Sequence, residues 1–214
     1  MPDWSVVVPV KRLEVAKSRL RSTQPGADHD GLVLAICTDT VLAALACAEV
    51  ALVVVVTDDA RAATALRQAG AVIVADEPDA GLNPAVEHGA AQAATLGQDH
   101  AVAVLSADLP ALRPAELAAA LNAASAHPRA FVSDAARTGT TLLTVAPGGS
   151  LGAAYGADSS AAHAASGAVE LTGDWPSLRR DVDTADDLRA AAALGLGRHT
   201  AALLRAGPPR GGGR

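Results

Sequence analysis

Five apolar residues in a row, Ala101 to Leu105, break off into Ser106-Ala107-Asp108-Leu109-Pro110, and this junction constrains the fold more than any other stretch. A short continuous apolar run reads as a strand buried on both faces, the habit of parallel sheets covered by helices. In open sheets of that kind ligands bind beyond the carboxyl ends of the strands, so the Asp108 carboxylate stands where a ligand would be met. Two further carboxylates, in Asp181-Val182-Asp183-Thr184, lie two residues apart and point the same way on an extended segment. Asp108, Asp181 and Asp183 are therefore candidate ligands of a magnesium ion serving phosphate chemistry.

The rest of the chain alternates strand and helix. Strands are expected at 5–10, 51–57, 71–75 and 101–105, with helices at 31–47, 59–68, 84–96 and 114–125. Asn83-Pro84 reads as an N-cap followed by proline at the first helical position, and Gly70 and Gly97 mark helix ends. Beyond residue 125 the rhythm changes to strands at 130–133 and 140–145, a short helix at 159–165 and a strand at 168–171. A final helix starts at Thr184, with Asp187 in a capping-box position, and closes at Gly195. The expectation is one α/β domain over residues 1–206, with a mostly parallel, partly mixed sheet flanked by helices, followed by a disordered tail at 207–214.

Composition removes several function classes. The chain has 214 residues, half of them apolar, enough for one substantial core. Its net charge of −6 and 2% aromatic content supply neither the basic surface nor the stacking platforms that nucleic acids require. No segment reaches the roughly 20 apolar residues of a membrane span, and Met1-Pro2-Asp3 leads straight into a strand, so a soluble, cytoplasmic protein is expected. Cys37 and Cys47 are read as sharing one helix at roughly 15 Å separation, beyond disulfide reach. The six histidines show no zinc spacing, and His88 and His163 read as packing or surface residues.

Neither a P-loop nor a dinucleotide fingerprint is present, so basic side chains must meet any phosphate. Lys11, Arg12, Lys17 and Arg19 place four cations in nine residues just after the first strand. On composition alone such a run is a solvated helix start, but its place after a strand favours phosphate binding.

Several segments in this order carry a resemblance. They are VPVKRLEVAKSRL from Val8, Asp76-Glu77-Pro78 with Gly81-Leu82-Asn83, Ala107-Asp108-Leu109-Pro110, Thr138-Gly139-Thr140, Tyr155 to Ser160, Ser166-Gly167-Ala168 and Asp181 to Thr184. Together they resemble the 2-phospho-L-lactate guanylyltransferase family, which includes the phosphoenolpyruvate guanylyltransferases of coenzyme F-420 biosynthesis. The resemblance runs from the first strand to Leu188. It implies a GT-A-like nucleotidyltransferase fold and transfer of GMP from GTP to the phosphate of a three-carbon acid, releasing pyrophosphate. The acceptor phosphate is already ionised near neutral pH, so positioning and charge neutralisation suffice without a general base.

The same resemblance implies roles residue by residue. Asp108, with Asp183 and Asp181, would hold Mg²⁺ between the nucleotide and acceptor phosphates. Lys17, Lys11 and Arg19 would grip the triphosphate, Lys17 and Asp108 being the catalytic pair. Pro9 and Val10 would offer backbone contacts to the base, and Asn83 would lie near the nucleoside, with a helix N-cap as its alternative. Glu77 or Asp76 would read guanine. Thr140, Gly156, Ser159 and Ser160 would form the acceptor site, the serines opening a helix whose free N–H groups favour an anion. One departure is Ala107, where the family more often carries glycine. Phosphoenolpyruvate, 2-phospholactate and 3-phosphoglycerate remain open as acceptors, an alanine-rich, arginine-favouring composition leaning towards the first. Another GT-A nucleotidyltransferase, acting on a molybdenum cofactor or a sugar phosphate, is the alternative enzyme. A non-catalytic nucleotide-binding module is the remaining class, and the oligomeric state is left open.

Overall fold

The structure is a computed structural model, and it describes residues 4–13, 20, 28–77 and 79–206. Lys17, Arg19, Pro78 and the tail 207–214 lie outside the described residues. Its elements, in chain order, begin with strand β1 (Trp4–Pro9), helix α1 (His29–Leu45), β2 (Val50–Val56), α2 (Ala60–Ala69), β3 (Val72–Val74) and α3 (Leu82–Leu96). There follow β4 (Ala101–Leu105), α4 (Pro114–Ala124), β5 (Arg129–Ser133), β6 (Thr140–Val145), α5 (Ser159–Ala165), β7 (Val169–Glu170), α6 (Pro176–Arg179), α7 (Ala185–Leu194) and α8 (Arg198–Ala206).

The seven strands form one sheet in the order β3-β2-β1-β4-β6-β5-β7. Strands β1 to β4 pair in parallel, while β6 runs antiparallel to both β4 and β5. The chain leaves β1 towards β2 and β3 and then returns to its other flank with β4. This reversal puts a switch point, and hence a crevice, between the carboxyl ends of β1 and β4.

Strand alternation divides the apolar residues between two faces. Val6 and Val8 of β1 join Val53, Val55, Ala103 and Leu105 under α1, α2 and α4. Val7 joins Val54, Val56, Val102 and Val104 under α3. Both faces are covered, which is why these strands carry unbroken valine runs. Helix α3 sits so close to the sheet that a Cβ on Gly89 would lie 2.5 Å from Val56 Cγ2 and 2.7 Å from Val7 Cγ1. Gly89→Ala is therefore expected to cost about 2 kcal/mol through overpacking, read as a melting temperature lower by several degrees. An unchanged melting curve would show that α3 can lift away freely.

Helix boundaries follow local chemistry where a cap is present. Asp59 caps α2 through the Ala62 amide at 2.9 Å, and Gly70 ends it in the left-handed conformation. The Thr184–Asp187 capping box opens α7, and Gly195 closes it, as the sequence indicates. The cap of α3 differs from expectation, because Gly81 rather than Asn83 is the N-cap. Both cysteines are buried and neither is in a disulfide, and Cys47 lies beyond the end of α1 rather than on it with Cys37. Two helices carry no strong sequence signal: α6, a single turn, and α8. The amides of His199 and Thr200 at the start of α8 are accepted by the carboxylate of Asp39, at 3.0 and 2.8 Å, from the middle of α1. Among the described residues no helix is long and apolar enough to cross a membrane.

Candidate active site

The crevice at the switch point is a cavity of about 330 Å³. Its walls come from Pro9, Val10 and Lys11 after β1 and from Ser106, Ala107 and Asp108 after β4. Asp183 lines the same cavity although it lies 75 positions further along the chain. Asp181 is half-buried and does not line it.

The Asp108 loop is held by backbone bonds from three directions. The Val182 amide donates to the Asp108 carbonyl at 3.1 Å, which brings the Asp181–Asp183 segment alongside. The Leu109 amide donates to Thr40 Oγ1 of α1 at 3.0 Å, and the Gly197 amide donates to the Pro110 carbonyl at 2.7 Å. The backbone at Ala107 does not take a positive φ, so alanine meets no strain there. Asp183 is fixed from its other side, its amide donating to Asp187 Oδ2 of the capping box at 3.3 Å. The cap itself is Thr184, and Asp183 is exposed and lines the cavity. Two hard oxygen donors facing one cavity fit a divalent cation with phosphate ligands completing its shell.

A second cavity of about 320 Å³ adjoins the first and shares Pro9, Val10, Lys11 and Leu82 with it. Its rim carries Asp58, Asp76 and Asp79, whose carboxylate oxygens lie within 4.8 Å of one another, and the cation Arg12. The Asp76 amide donates to Asp58 Oδ1 at 3.0 Å, whereas Asp76 Oδ1 is shielded from solvent and meets no donor. Glu77 is exposed and lines neither cavity. The loop after β1 is tied down by the Leu13 amide, which donates to Asp59 Oδ2 at 3.0 Å. Partial burial opposes the Asp59 charge, yet the amides of Ala62 and Leu13 hold its carboxyl below the usual carboxylate range.

Asn83 does something the sequence did not indicate. Its Oδ1 accepts the Tyr155 amide at 2.7 Å and its Nδ2 donates to the Tyr155 carbonyl at 3.0 Å. The neighbouring amides of Ala153 and Ala154 donate to Glu87 Oε1 at 2.8 Å and His163 Nε2 at 3.0 Å. Three consecutive amides are thus each held by a different side chain, and Tyr155 is set into the wall of the first cavity.

The expected acceptor residues cluster with one another rather than in that wall. Thr140, Ser159 and Ser160 are buried, Ser159 Oγ lies 3.3 Å from Thr140 Oγ1, and Ser106 Oγ donates to the Thr140 carbonyl at 3.3 Å. Through Ser106 the cluster abuts the carboxyl end of β4. Gly156 has φ 151° and open space where a Cβ would stand. The Ser160 amide is not free, since it donates to the Thr138 carbonyl at 3.0 Å. Tyr155, Glu87 and His163 escaped the sequence reading because their partners lie on other elements. For Tyr155 the local signal is the segment Tyr155-Gly156-Ala157-Asp158-Ser159-Ser160 that carries part of the family resemblance.

The family description "Guanylyl transferase CofC like" matches residues 4–206. The chain belongs to that family. It is 59% identical over 211 residues to a phosphoenolpyruvate guanylyltransferase of Salinispora arenicola, covering 98% of this chain and 97% of the relative. It is 61% identical over 206 residues to the enzyme of the same name from Geodermatophilus obscurus, covering 94% of each chain. A solved structure from Desulfovibrio desulfuricans, described as a candidate nucleotide-diphospho-sugar transferase, superposes with a TM-score of 0.69 at 20% identity, covering 96% of this chain and 95% of that one. That likeness is one of fold. As a family member the chain is a nucleotidyltransferase, a guanylyl transferase of α/β architecture.

Proposed function

We propose that this chain transfers GMP from GTP to the phosphate of phosphoenolpyruvate, releasing pyrophosphate, with Mg²⁺ as its cofactor. The observation that carries the reading is the convergence of Asp108 and Asp183 on one cavity with Lys11 at the switch point of the sheet. The name borne by relatives 59% and 61% identical supports phosphoenolpyruvate as the acceptor.

In this reading an oxygen of the acceptor phosphate attacks the α-phosphorus of GTP. The bond from that phosphorus to the bridging oxygen of the β-phosphate breaks, and its electron pair leaves with pyrophosphate. A bound Mg²⁺, held by Asp108 and Asp183 with Asp181 nearby, would supply charge neutralisation for the phosphate oxygens. Lys11 lies on both cavities and offsets charge on the triphosphate. Lys17 and Arg19 are proposed as its partners. The second cavity takes the guanine, with Pro9 and Val10 beneath it and Asp76 rather than the exposed Glu77 meeting the base. A carboxylate accepts from both the N1–H and the exocyclic amino group of guanine, a pairing that adenine and pyrimidines do not offer. Asn83 acts on the nucleoside side through the Tyr155 peptide that it holds. Thr140, Gly156, Ser159 and Ser160 receive the acceptor.

The test is incubation with Mg²⁺, GTP and, separately, phosphoenolpyruvate, 2-phospholactate and 3-phosphoglycerate, the products being weighed by mass spectrometry. The expected product is the guanosine diphosphate ester of enolpyruvate together with pyrophosphate. A product only with one of the other acids would move the acceptor assignment, and none with any acid would remove the reading.

A further inference from the structure

His163, in the middle of α5, is 0% exposed, and the reaction as written leaves it without a task. Its ring lies between Phe131 and Tyr155, at centroid distances of 5.9 and 5.1 Å. Both ring nitrogens are engaged. The Ala154 amide approaches Nε2 at 3.0 Å, and Thr140 Oγ1 lies 2.9 Å from Nδ1. An amide N–H can only donate, so Nε2 must present its lone pair. Burial first, and then the nearby Arg129 charge, lower the imidazole pKa from 6.5 to about 4. The ring is therefore neutral at pH 7, and its single proton sits on Nδ1, where it donates to Thr140.

A proton count follows. Thr140 Oγ1 receives the Nδ1 proton, and it shares one hydrogen bond with Ser159 Oγ at 3.3 Å. Whichever hydroxyl donates to the other, one O–H proton of the pair is left over. Among the described residues no further side chain or carbonyl accepts it. A buried donor of this kind is unfavourable unless something accepts from it.

We propose that His163 is a positioning residue of the acceptor subsite: fixed as its Nδ1–H tautomer by the Ala154 amide, it turns the Thr140–Ser159 hydroxyl pair into an obligatory donor to an anionic oxygen of the phosphorylated acid. The proposal deepens the function given above and rests on its acceptor subsite. The chemistry it selects is an oxygen that only accepts, as in a carboxylate or an ionised phosphate. An ammonium group at that point, which has no lone pair, leaves the proton unaccepted.

Two substitutions separate the two ring nitrogens. His163→Gln reaches the Nε2 position, where its carbonyl can still accept the Ala154 amide, but it has no donor for Thr140. His163→Asn places an N–H near the Nδ1 position and restores that donor. His163→Gln is expected to raise the KM for the phosphorylated acid about tenfold, the loss of one hydrogen bond to a charged group, with KM for GTP within about twofold of the parent. His163→Asn is expected to recover most of the difference. Independently of activity, the ¹⁵N shifts of the His163 imidazole in the unsubstituted protein at pH 7 are expected to report the Nδ1–H tautomer.

An Nε2–H tautomer overturns the proposal outright. So does an unaltered acceptor KM in His163→Gln, or a rise shared equally by GTP and accompanied by a fall in melting temperature. Should His163→Gln fail to fold, Thr140→Val takes its place in the same KM comparison, and equal effects on both substrates again overturn the proposal. Absence of any product from the unsubstituted protein would instead remove the functional reading, with the ¹⁵N shifts still deciding the tautomer.

Discussion

Replacing Asp108 with asparagine is expected to lower kcat by about 10³-fold while the melting temperature moves little. The substitution keeps the shape of the side chain and removes its charge. The bonds that fix the loop, from Val182 to the Asp108 carbonyl, from Leu109 to Thr40 and from Gly197 to the Pro110 carbonyl, run through backbone atoms of the loop and survive the change. What is lost is the anionic oxygen that, with Asp183, would hold a divalent cation against the phosphates. The apparent KM for Mg²⁺ should therefore rise along with the fall in turnover. The measurement is a Mg²⁺ titration of pyrophosphate release in parent and variant. Parental turnover with undiminished Mg²⁺ dependence would withdraw Asp108 from the reaction.

The second large effect concerns the donor base. Asp76→Asn is expected to swing the kcat/KM preference from GTP towards xanthosine triphosphate by about 10³-fold. A carboxylate accepts two hydrogens from the guanine edge, whereas an amide accepts one and donates one, which suits the carbonyl that xanthine carries in place of the amino group. Asp76 is singled out over its neighbours by geometry. Asp76 lines the second cavity and its Oδ1 is shielded and without a donor, while Asp58 Oδ1 is already taken by the Asp76 amide. Competition between the two nucleotides, followed by product mass, reads the swing directly. A variant that keeps the parental preference for GTP would clear Asp76 and return attention to Asp58 and Glu77.

Much of the architecture was legible from local pattern. The strands at 101–105 and 140–145 match their expected limits residue for residue, because an apolar run in the first and a run of threonine, leucine and valine in the second end in polar or proline-bearing turns. The α7 boundaries were equally clear, since Thr184, Asp187 and Gly195 satisfy the end groups of their own helix. Helix α8 was not legible for the opposite reason. Its first amides are satisfied by Asp39, about 160 positions away, and Gly197 packs against that same carboxylate, so its local sequence lacks a capping residue. Asn83 misled in the same manner. Its residue type and the following proline suit an N-cap, but its amide group is used across the molecule on the Tyr155 peptide.

For the candidate site the division falls between kinds of residue and their company. The sequence alone determined that a carboxylate would stand at the carboxyl end of a buried parallel strand, that cations would follow the first strand, and that one α/β sheet would carry both. Those properties depend on near neighbours in the chain, whose burial period and turn chemistry are written locally. Only the tertiary structure decided that Asp183 lines a cavity with Asp108 while Asp181 does not, that Asp76 rather than Glu77 lines the second cavity, and that His163 meets Thr140. Each of those choices depends on strand order and on helices docking across the sheet. The pairings join residues 18 to 75 positions apart, and no local free-energy term distinguishes the right partner from the wrong one.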